Sequence, residues 1–557
     1  MNPRHLYAAV AVWCAVLFAL APSMYAQQAA APKTGVPQDW SQRHIVFSRA
    51  ALAQHPDLIY REPRVLHQAM QRWQVPNFGV FRVVDPLPFP AAKSGLDRDW
   101  EVTVLGGRLN ANIYPAKFSF NPGAPPDCTN DYVVFGLNTA STGTDANLVA
   151  FNNLYAGTDP TGLCGTAPTV YFAYDTTTVT GGKITTSPIL SEDGTKIAFV
   201  ESVPANAGAG ITAQSIFHVL TWTGGQGAIG AAVAPGTAMT SLTFSAAKND
   251  TTSSPWIDYV SDTVYVGADS GAIYKITGVF KGTPTLAGAP WPITLSKNFA
   301  LTPPVLDSGL GMLMVGSANG DLYQINTATD AVATLAVGKN FNKDILAAPI
   351  VDVTNGITFV VSANNGTSAV LVEVNTATLT QLAEANIGQG SSGGVTTVDL
   401  YEPAVDNNYF NDPTTGLIHL CGTGPADTTP YHYAFGFTEP LTQPIMNTAA
   451  SISQQLLTST AGCTGWTEFF NPNVGTGGTD FLFFGLTQDC TAAGAAGGCV
   501  EALSTNGGTT TTTTATIGGG PSGIVTDNYS TAAQASSIYF TQENANHGYK
   551  FTQNGLQ

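Results

Sequence analysis

From residue 100 onward, the chain consists of short apolar runs that are separated by Gly, Asn, Asp and Thr. Apolar runs of this length with polar turns between them predict β-strands that are joined by hairpins. The clearest set spans residues 303–338, where four apolar runs are interrupted by Ser308-Gly309, Asn319-Gly320 and a polar turn at 326–330. An Asn-Gly pair between apolar runs is a strong signal for a tight hairpin. The pattern therefore predicts a four-stranded antiparallel sheet.

This unit recurs along the chain. Five copies begin at a proline followed by an apolar pair, and these prolines are at positions 188, 255, 304, 349 and 403. Weaker copies begin near 465 and 521, and a degenerate first copy covers 132–151. A repeat of roughly 40–50 residues with four strands is typical of a β-propeller. We predict an all-β propeller at residues 100–557, with eight blades favoured and seven left open; a pair of β-sandwiches is the weaker alternative.

The ends of the repeat region predict how the ring closes. The last copy has only three apolar runs, at 524–526, 537–540 and 549–551. A strand-like run at 100–105 precedes the first copy and has no blade of its own. We expect this run to complete the last blade, which would protect sheet edges that otherwise pair with other chains.

The N-terminal region has a different pattern. Arg4, an apolar stretch at 6–21 and the small-residue end at Ala26 are typical of a cleaved secretory signal at residues 1–26, with an uncleaved anchor as the alternative. Residues 27–99 read as a linker and a short helical segment, with helix-forming composition at 61–73 and an extended proline-rich part at 84–95. No later segment is long and apolar enough to cross a membrane. The mature protein is expected in the periplasm, on the cell surface or in the medium.

Six cysteines remain after removal of the signal. An even number in an oxidising compartment indicates disulfides, although six cysteines allow 15 pairings. Pairing of neighbours along the sequence is the simplest arrangement; it gives Cys128–Cys164, Cys421–Cys463 and Cys490–Cys499. A zinc site is disfavoured because the sequence contains no CxxC motif or clustered histidines with these residues.

Three of the repeats resemble those of the quinoprotein-like and surface-antigen propellers. These units lie at 254–280, 303–332 and 348–376, and their closing turns at 326–330 and 375–378 are similar to the Asp-x-x-Thr-Gly turn of the quinoprotein repeat. The tryptophan that usually follows that turn is absent. The segment at 114–155 also resembles part of a group of uncharacterised exported bacterial propeller proteins, and that resemblance extends over residues 100–557. The resemblance implies the architecture and no particular activity.

The content and distribution of charged residues exclude several classes of ligand for the ring. Only 11% of the residues are charged and the formal net charge is −17, yet all nine arginines lie within residues 1–108. Nucleic acids and polyanions need a basic face, and sialidase-type sites need an arginine cluster, so the ring is a poor candidate for either. A pyrroloquinoline quinone dehydrogenase is disfavoured as well, since adjacent cysteines and a nearby arginine are missing. We also predict that the basic segment 40–75 docks on the acidic ring.

Candidate chemistry is limited to carboxylates and a few aromatic residues. Asp258, Asp307, Asp352 and Asp406 recur at one repeat position, which favours a role in turns. The candidates for ligand binding are Glu402, Asp406, Tyr431, His432, Tyr433 and Glu468. An oxygen-rich loop with Asp406 and Asp412 could hold calcium, and no other cofactor is predicted.

The sequence favours a non-enzymatic exported module that binds a neutral or cationic ligand. A neutral glycan, a protein or another cell-surface component would fit this description. The alternative is a carbohydrate-active enzyme, either a glycosidase or a lyase, that uses carboxylates on the loop face of the propeller.

Overall fold

Short strands of the chain assemble into eight separate sheets, in which successive strands of a blade pair antiparallel. The computed structural model describes residues 35–48, 55, 57–73, 96–120, 126–141, 143–158, 161–246, 251–339, 343–390, 399–438, 443–471, 478–490, 497–506, 509–527 and 537–553. The predicted signal at 1–26 and the proline-rich part at 84–95 lie outside these residues.

The first elements belong to an N-terminal arm, which we define as residues 35–73. It contains strand β1 (Val36–Gln38), a 3-10 turn (Trp40–Arg43), strand β2 (Ile45–Val46) and helices α1 (Leu58–Arg61) and α2 (Pro63–Trp73). The helices confirm the helical pattern at 61–73, whereas the two strands were not expected. Strand β3 (Leu96–Thr103) follows.

Blades 1 to 4 follow in chain order. Blade 1 contains β4 (Ala116–Ser119), β5 (Tyr132–Gly136), β6 (Leu148–Asn152) and β7 (Thr169–Tyr174). Blade 2 contains β8 (Lys183–Ile184), β9 (Ile189–Leu190), β10 (Lys196–Val203), β11 (Gln214–Thr221) and β12 (Met239–Ser245). Blade 3 contains β13 (Trp256–Asp258), β14 (Thr263–Gly267), β15 (Ala272–Thr277), β16 (Thr285–Leu286) and β17 (Ile293–Thr294). Blade 4 contains β18 (Val305–Asp307), β19 (Met312–Gly316), β20 (Asp321–Asn326) and β21 (Val332–Ala336).

Blades 5 to 8 complete the ring. Blade 5 contains β22 (Ile350–Asp352), β23 (Ile357–Ser362), β24 (Ser368–Asn375) and β25 (Thr380–Gln389). Blade 6 contains β26 (Ala404–Val405), helix α3 (Asn407–Asn411), β27 (Leu417–Thr423), β28 (Pro430–Thr438), β29 (Ile445–Met446) and β30 (Ile452–Gln455). Blade 7 contains β31 (Thr467–Asn471), β32 (Thr479–Leu486), β33 (Cys499–Asn506) and β34 (Thr509–Thr516). Blade 8 contains β35 (Val525–Asp527), β36 (Ser537–Thr541), β37 (His547–Gln553) and β3.

The predicted closure of the ring is confirmed. Strand β3 pairs antiparallel with β37, so a strand from before the first blade becomes the outer strand of the last one. The closure joins chain segments that are far apart in sequence and leaves no unfinished blade. The all-β propeller with eight four-stranded blades is thus established by strand order.

The recurrent aspartates hold turns at the ends of the innermost strands. The Oδ1 atom of Asp307 accepts hydrogen bonds from the backbone N–H groups of Gly309 and Leu310, both at 2.9 Å. Asp352 accepts from Thr354 and Asn355 in the same way. This repeated contact explains the recurrence of the residue without any role in a site.

Three cysteine pairs lie at disulfide distance, and they are the predicted pairs. Their Cα atoms are separated by 5.4 Å in Cys128–Cys164, 6.2 Å in Cys421–Cys463 and 5.8 Å in Cys490–Cys499. Cα separations of this size match the usual range for a disulfide. Within the described residues, no helix has the length and apolar character needed to cross a membrane.

Candidate functional site

The N-terminal arm occupies the central channel of the propeller. Strand β1 pairs antiparallel with β4 of blade 1, and β2 pairs parallel with β22 of blade 5. In a ring of eight, these two blades are opposite each other. Because both partner strands are innermost strands, the arm runs up along one blade, turns at 40–43 and runs down along the other.

Apolar side chains of the arm belong to the largest hydrophobic cluster of the ring. Trp40 is buried, its Nε1 donates to the carbonyl oxygen of Pro255 at 3.1 Å, and its ring lies 5.7 Å from that of Trp256. Val65 and Ala69 on α2 are buried in the same cluster. Burial of these residues supplies the main free energy that holds the arm in place.

Three arginines of the arm are buried in ion pairs. Arg43 lies 3.6 Å from Glu402 of the ring, and Arg72 pairs with Glu468 of blade 7. Arg64 pairs with Glu62 at 3.0 Å within the arm. The structure therefore confirms the predicted docking of the basic segment on the acidic ring. Two of the three paired carboxylates, Glu402 and Glu468, belong to the ring.

A pocket of about 170 Å³ lies where the innermost strands begin, at one end of the channel. We call it the mouth pocket. The turn of the arm forms its floor, and the loops that lead into the innermost strands form its wall. Its lining residues are Trp40, His44, Ala111, Asn112, Ile113, Tyr114, Ser187, Thr252, Ser254, Pro303, Lys343, Leu346, Ala348, Asp399, Tyr401 and Glu402. This combination of aromatic, aliphatic, hydroxyl and amide groups suits a small polar ligand.

Glu402 is the buried carboxylate of the mouth pocket. Asn112 Nδ2 donates to its Oε2 at 2.7 Å, and the hydroxyl of Tyr114 donates to its Oε1. Burial alone would raise the pKa of Glu402, but the charge of Arg43 and the hydrogen bond from the Tyr114 hydroxyl oppose burial, and that pKa lies below its ordinary value. The carboxylate is therefore ionised at neutral pH and fixed in position.

His44 contributes no charge to the pocket at neutral pH. Its Nδ1 lies 2.8 Å from the carbonyl oxygen of Trp40, and its Nε2 lies 3.8 Å from Glu402 Oε1. Burial lowers the pKa of His44 to about 4, and the pull of Glu402 in the other direction is too weak to reverse this. The guanidinium of Arg43 is consequently the cation that balances Glu402.

Glu468 lies in a second, smaller cavity deeper in the channel. This cavity of about 60 Å³ is lined by Arg43, Arg72 and several glutamines of the arm. Burial and the neighbouring Glu468 raise the pKa of Asp480 well above its ordinary value, and Glu468 itself pairs with Arg72. Glu402 and Glu468 are thus in different cavities.

The other candidate residues lie within blade 6. Tyr431, His432 and Tyr433 alternate along β28, so His432 faces His419 with a nitrogen–nitrogen distance of 3.0 Å while the two tyrosine rings stack at 6.1 Å on the other face. Burial and His419 lower the pKa of His432 to about 3. The structure therefore does not bring this trio to the mouth pocket.

Asp406 and Asp412 each begin a helical turn. Asp406 Oδ1 accepts from the backbone N–H groups of Tyr409 and Leu417, and Asp412 Oδ1 accepts from that of Thr414. Calcium at this loop stays a prediction. Over the described ranges, the group of side chains with metal-ligand spacing is Cys490, Cys499 and Glu501, and its two cysteines form a disulfide.

Several residues of the mouth pocket, and Arg43 beneath it, were missed by sequence reasoning. Asn112 and Tyr114 precede the first blade, Tyr401 and Asp399 precede the sixth, and Arg43 lies in the arm. The available signal was the confinement of arginine to the leader above an acidic ring, which predicted docking but not the residue that pairs with Glu402.

Comparisons with known proteins concern the fold. No protein-family model and no curated protein matches the sequence. Among solved structures, the chain is similar to BamB from Moraxella catarrhalis at 12% identity, over 82% of this chain and 97% of that chain, with a TM-score of 0.41. The propeller of Dos1 is 9% identical, over 82% of this chain and 96% of that chain, with a TM-score of 0.47. A chain of a mitotic checkpoint complex is 11% identical, over 72% of this chain and 94% of that chain, with a TM-score of 0.37. The chain is a β-propeller by its own strand order, in agreement with the repeat resemblance.

Proposed function

We propose that this protein is an exported β-propeller scaffold that binds a small neutral or cationic ligand at the mouth pocket without chemical conversion. The observation that carries the proposal is the mouth pocket itself, in which the fixed carboxylate of Glu402 lies beside hydroxyl, amide and aromatic groups. Such a set can accept and donate hydrogen bonds to a hydroxyl-rich ligand such as the end of a neutral glycan. Its volume of about 170 Å³ limits the bound part to a small group.

Export is supported by the sequence and by the cysteines. The apolar segment and small-residue end at 1–26 are typical of a secretory signal. The three cysteine pairs at disulfide distance fit an oxidising compartment, because thiols of cytosolic proteins are kept reduced. The periplasm, the cell surface and the medium all satisfy these conditions.

Binding is favoured over catalysis by the state of the carboxylates. A glycosidase needs two carboxyl groups roughly 5–9.5 Å apart, with one of them able to give up a proton. Among the described residues that line the mouth pocket, the carboxylates are Glu402 and Asp399. Glu402 is held in its ionised form by Arg43, and Asp399 pairs with Lys343 at 2.9 Å. An ionised Glu402 is not in the state that a general acid requires.

Binding of neutral glycans by the full chain tests the proposal. A glycan array followed by calorimetry should give at least one neutral glycan that binds, and Asn112→Ala should weaken that binding about tenfold or more, since it removes a donor near the ligand. Asn130→Ala is the matched control, because Asn130 is exposed in a loop at the opposite end of the ring. Absence of binding across the array would contradict the proposal.

The enzyme alternative is tested on the same ligands. Incubation of the protein with a panel of neutral polysaccharides should leave them intact when products are followed by chromatography. Cleavage that is lost in Glu402→Gln would instead show a carbohydrate-active enzyme.

A further inference from the structure

Three polar side chains form a hydrogen-bonded row across blade 2. Glu201 of β10, His218 of β11 and Ser241 of β12 lie on neighbouring strands of one sheet. His218 Nε2 lies 2.9 Å from Glu201 Oε2, and His218 Nδ1 lies 2.9 Å from the hydroxyl oxygen of Ser241. Glu201 and His218 are fully buried, whereas Ser241 is exposed. The row therefore leads from a buried carboxylate to a hydroxyl group at the surface.

The surroundings of Glu201 determine which nitrogen of His218 carries the hydrogen. The carboxylate accepts from the backbone N–H groups of Thr178 and Val179 and from the Thr178 hydroxyl. Burial alone would raise the pKa of Glu201, but hydrogen bonds from His218 and Thr178 oppose burial, and that pKa lies below its ordinary value. An ionised carboxylate can only accept, so His218 Nε2 donates to it and, in the neutral ring, Nδ1 accepts from the hydroxyl of Ser241. A hydroxyl, a base and a group that orients the base are the parts of an activated nucleophile.

The backbone of Ser241 faces the open edge of the sheet, because β12 is the outermost strand of blade 2. The N–H of Trp222 donates to the carbonyl oxygen of Thr195 just beyond the ends of β10 and β11. Hydrogen bonds alternate along an antiparallel ladder, so His218, which is paired with Phe199, points its backbone groups towards β10. Its partner on β12, Ser241, then points its own N–H away from the sheet. This N–H can donate to the oxyanion that forms when the hydroxyl attacks an acyl group.

We propose that Ser241 and His218 form a catalytic pair that hydrolyses short-chain acyl esters, with Glu201 as the positioning residue. The inference goes beyond the proposed function, because none of the three residues lines the mouth pocket or the deeper cavity. In the first step the Ser241 oxygen bonds to the acyl carbon, its proton passes to Nδ1 of His218, and the alcohol leaves with that proton as its C–O bond breaks. Water then attacks the acyl-serine in the same way and releases the acid. An exposed hydroxyl on an open edge suits a small acyl group such as acetyl.

The probes p-nitrophenyl acetate and a fluorophosphonate test the inference on the full chain. The wild type should release p-nitrophenol catalytically, and peptide mass spectrometry should find the phosphonate on Ser241. Ser241→Ala should lose this label and lower kcat/KM about hundredfold or more, since general-base activation contributes a factor of this size. Thr243→Ala is the matched control, because Thr243 is exposed two positions further along β12, and it should keep the label and the rate of the wild type.

The positioning role of Glu201 has a spectroscopic readout. In Glu201→Gln, the backbone N–H groups of Thr178 and Val179 should hold the amide oxygen, so the amide NH2 faces His218 Nε2 and the ring proton moves to Nδ1. Ring-nitrogen NMR spectra, assigned with His218→Gln, should show a protonated Nε2 in the wild type and a protonated Nδ1 in Glu201→Gln. Labelling of Ser241 should slow about tenfold or more in Glu201→Gln. An unchanged tautomer would overturn this role of Glu201.

Two results would overturn the catalytic pair itself. One is phosphonate found only on residues other than Ser241, and the other is hydrolysis by Ser241→Ala at the wild-type rate. Because Ser241 is exposed, Ser241→Ala should fold normally, and a thermal melt of each variant confirms folding before rates are compared. Neither result bears on the proposed function, since Ser241→Ala should bind glycans at the mouth pocket as the wild type does.

Discussion

Replacement of Arg64 by methionine is the sharpest test of the arm in the channel. Arg64 has 1% of its side chain exposed, and its guanidinium donates to Glu62, to Ser41 Oγ at 2.8 Å and to the carbonyl oxygen of Ile257 in blade 3 at 2.9 Å. The guanidinium also lies 4.1 Å from the ring of Trp256. Methionine has a similar length and helix propensity, so Arg64→Met removes these contacts with little change to α2.

The magnitude follows from burial of the partner that remains. Removal of one member of a buried ion pair leaves an uncompensated charge and costs about 3–5 kcal/mol. Burial raises the pKa of Glu62 and Arg64 opposes this rise, so without Arg64 the carboxyl group becomes protonated more readily. The loss of stability in Arg64→Met should therefore be larger at pH 8 than at pH 5. The matched variant Arg61→Met breaks a pair whose members are 55% and 60% exposed, and should cost about 0–1 kcal/mol.

Urea denaturation followed by tryptophan fluorescence measures both variants. The double variant Arg64→Met/Glu62→Gln should recover part of the lost free energy of unfolding, because no charge is then left unpaired. Limited proteolysis should cleave the arm faster in Arg64→Met than in the wild type. If Arg64→Met and Arg61→Met unfold within about 0.5 kcal/mol of each other, α2 is not buried in the channel and the reasoning is wrong.

Three more outcomes are expected. Burial raises the pKa of Glu373 from 4.5 to about 7, so the folded state keeps a proton that the unfolded chain releases; stability should fall as pH rises through this window, and Glu373→Gln should remove that part of the fall in urea titrations. Cys128→Ser/Cys164→Ser opens a loop with a sequence separation of 36 and should lower the free energy of unfolding by about 3–4 kcal/mol; a loss below about 1 kcal/mol would contradict this. A Cβ on Gly465 would lie 2.5 Å from Glu402 Oε1, so Gly465→Ala should displace the carboxylate and weaken glycan binding about tenfold in calorimetry, and unchanged affinity would place the ligand elsewhere.

The ring could be predicted because its signals are local and repeated. The proline before the innermost strand recurs in five repeats and the aspartate after the apolar pair in four, and Asp307 and Asp352 hold equivalent turns. Closure by β3 was predictable as well, since a blade with three strands leaves an edge that needs a partner. The cysteine pairs followed from their order along the chain.

The path of the arm could not be predicted from its own residues. Strands β1 and β2 have three and two residues without a distinct alternation, and they are strands because the innermost edges of blades 1 and 5 offer free backbone groups. Tertiary context of this kind overrides local propensity.

The contents of the mouth pocket were only partly predictable for a related reason. Glu402 was a candidate because carboxylates suit glycan chemistry, but Arg43 and the groups around it come from distant parts of the chain; Arg43 and its partner Thr467 are 424 positions apart. No periodicity relates such residues. Tyr431 to Tyr433 were chosen for their chemistry, and the alternation of a strand divides them between two faces.

The arm crosses the channel from blade 1 to blade 5, and this path has a consequence for the order of folding. Residues of the arm are synthesised early, yet their partners come much later in the chain. The backbone N–H of Ser48 donates to Thr354, which lies 306 positions later, and Arg43 donates to Thr467. Contacts of such long range form late, because the intervening chain must first be ordered. The floor of the mouth pocket therefore exists only after most of the blades have assembled, and a partly folded ring would have no site to offer a ligand. The proposed binding of a ligand would therefore report that the ring is complete.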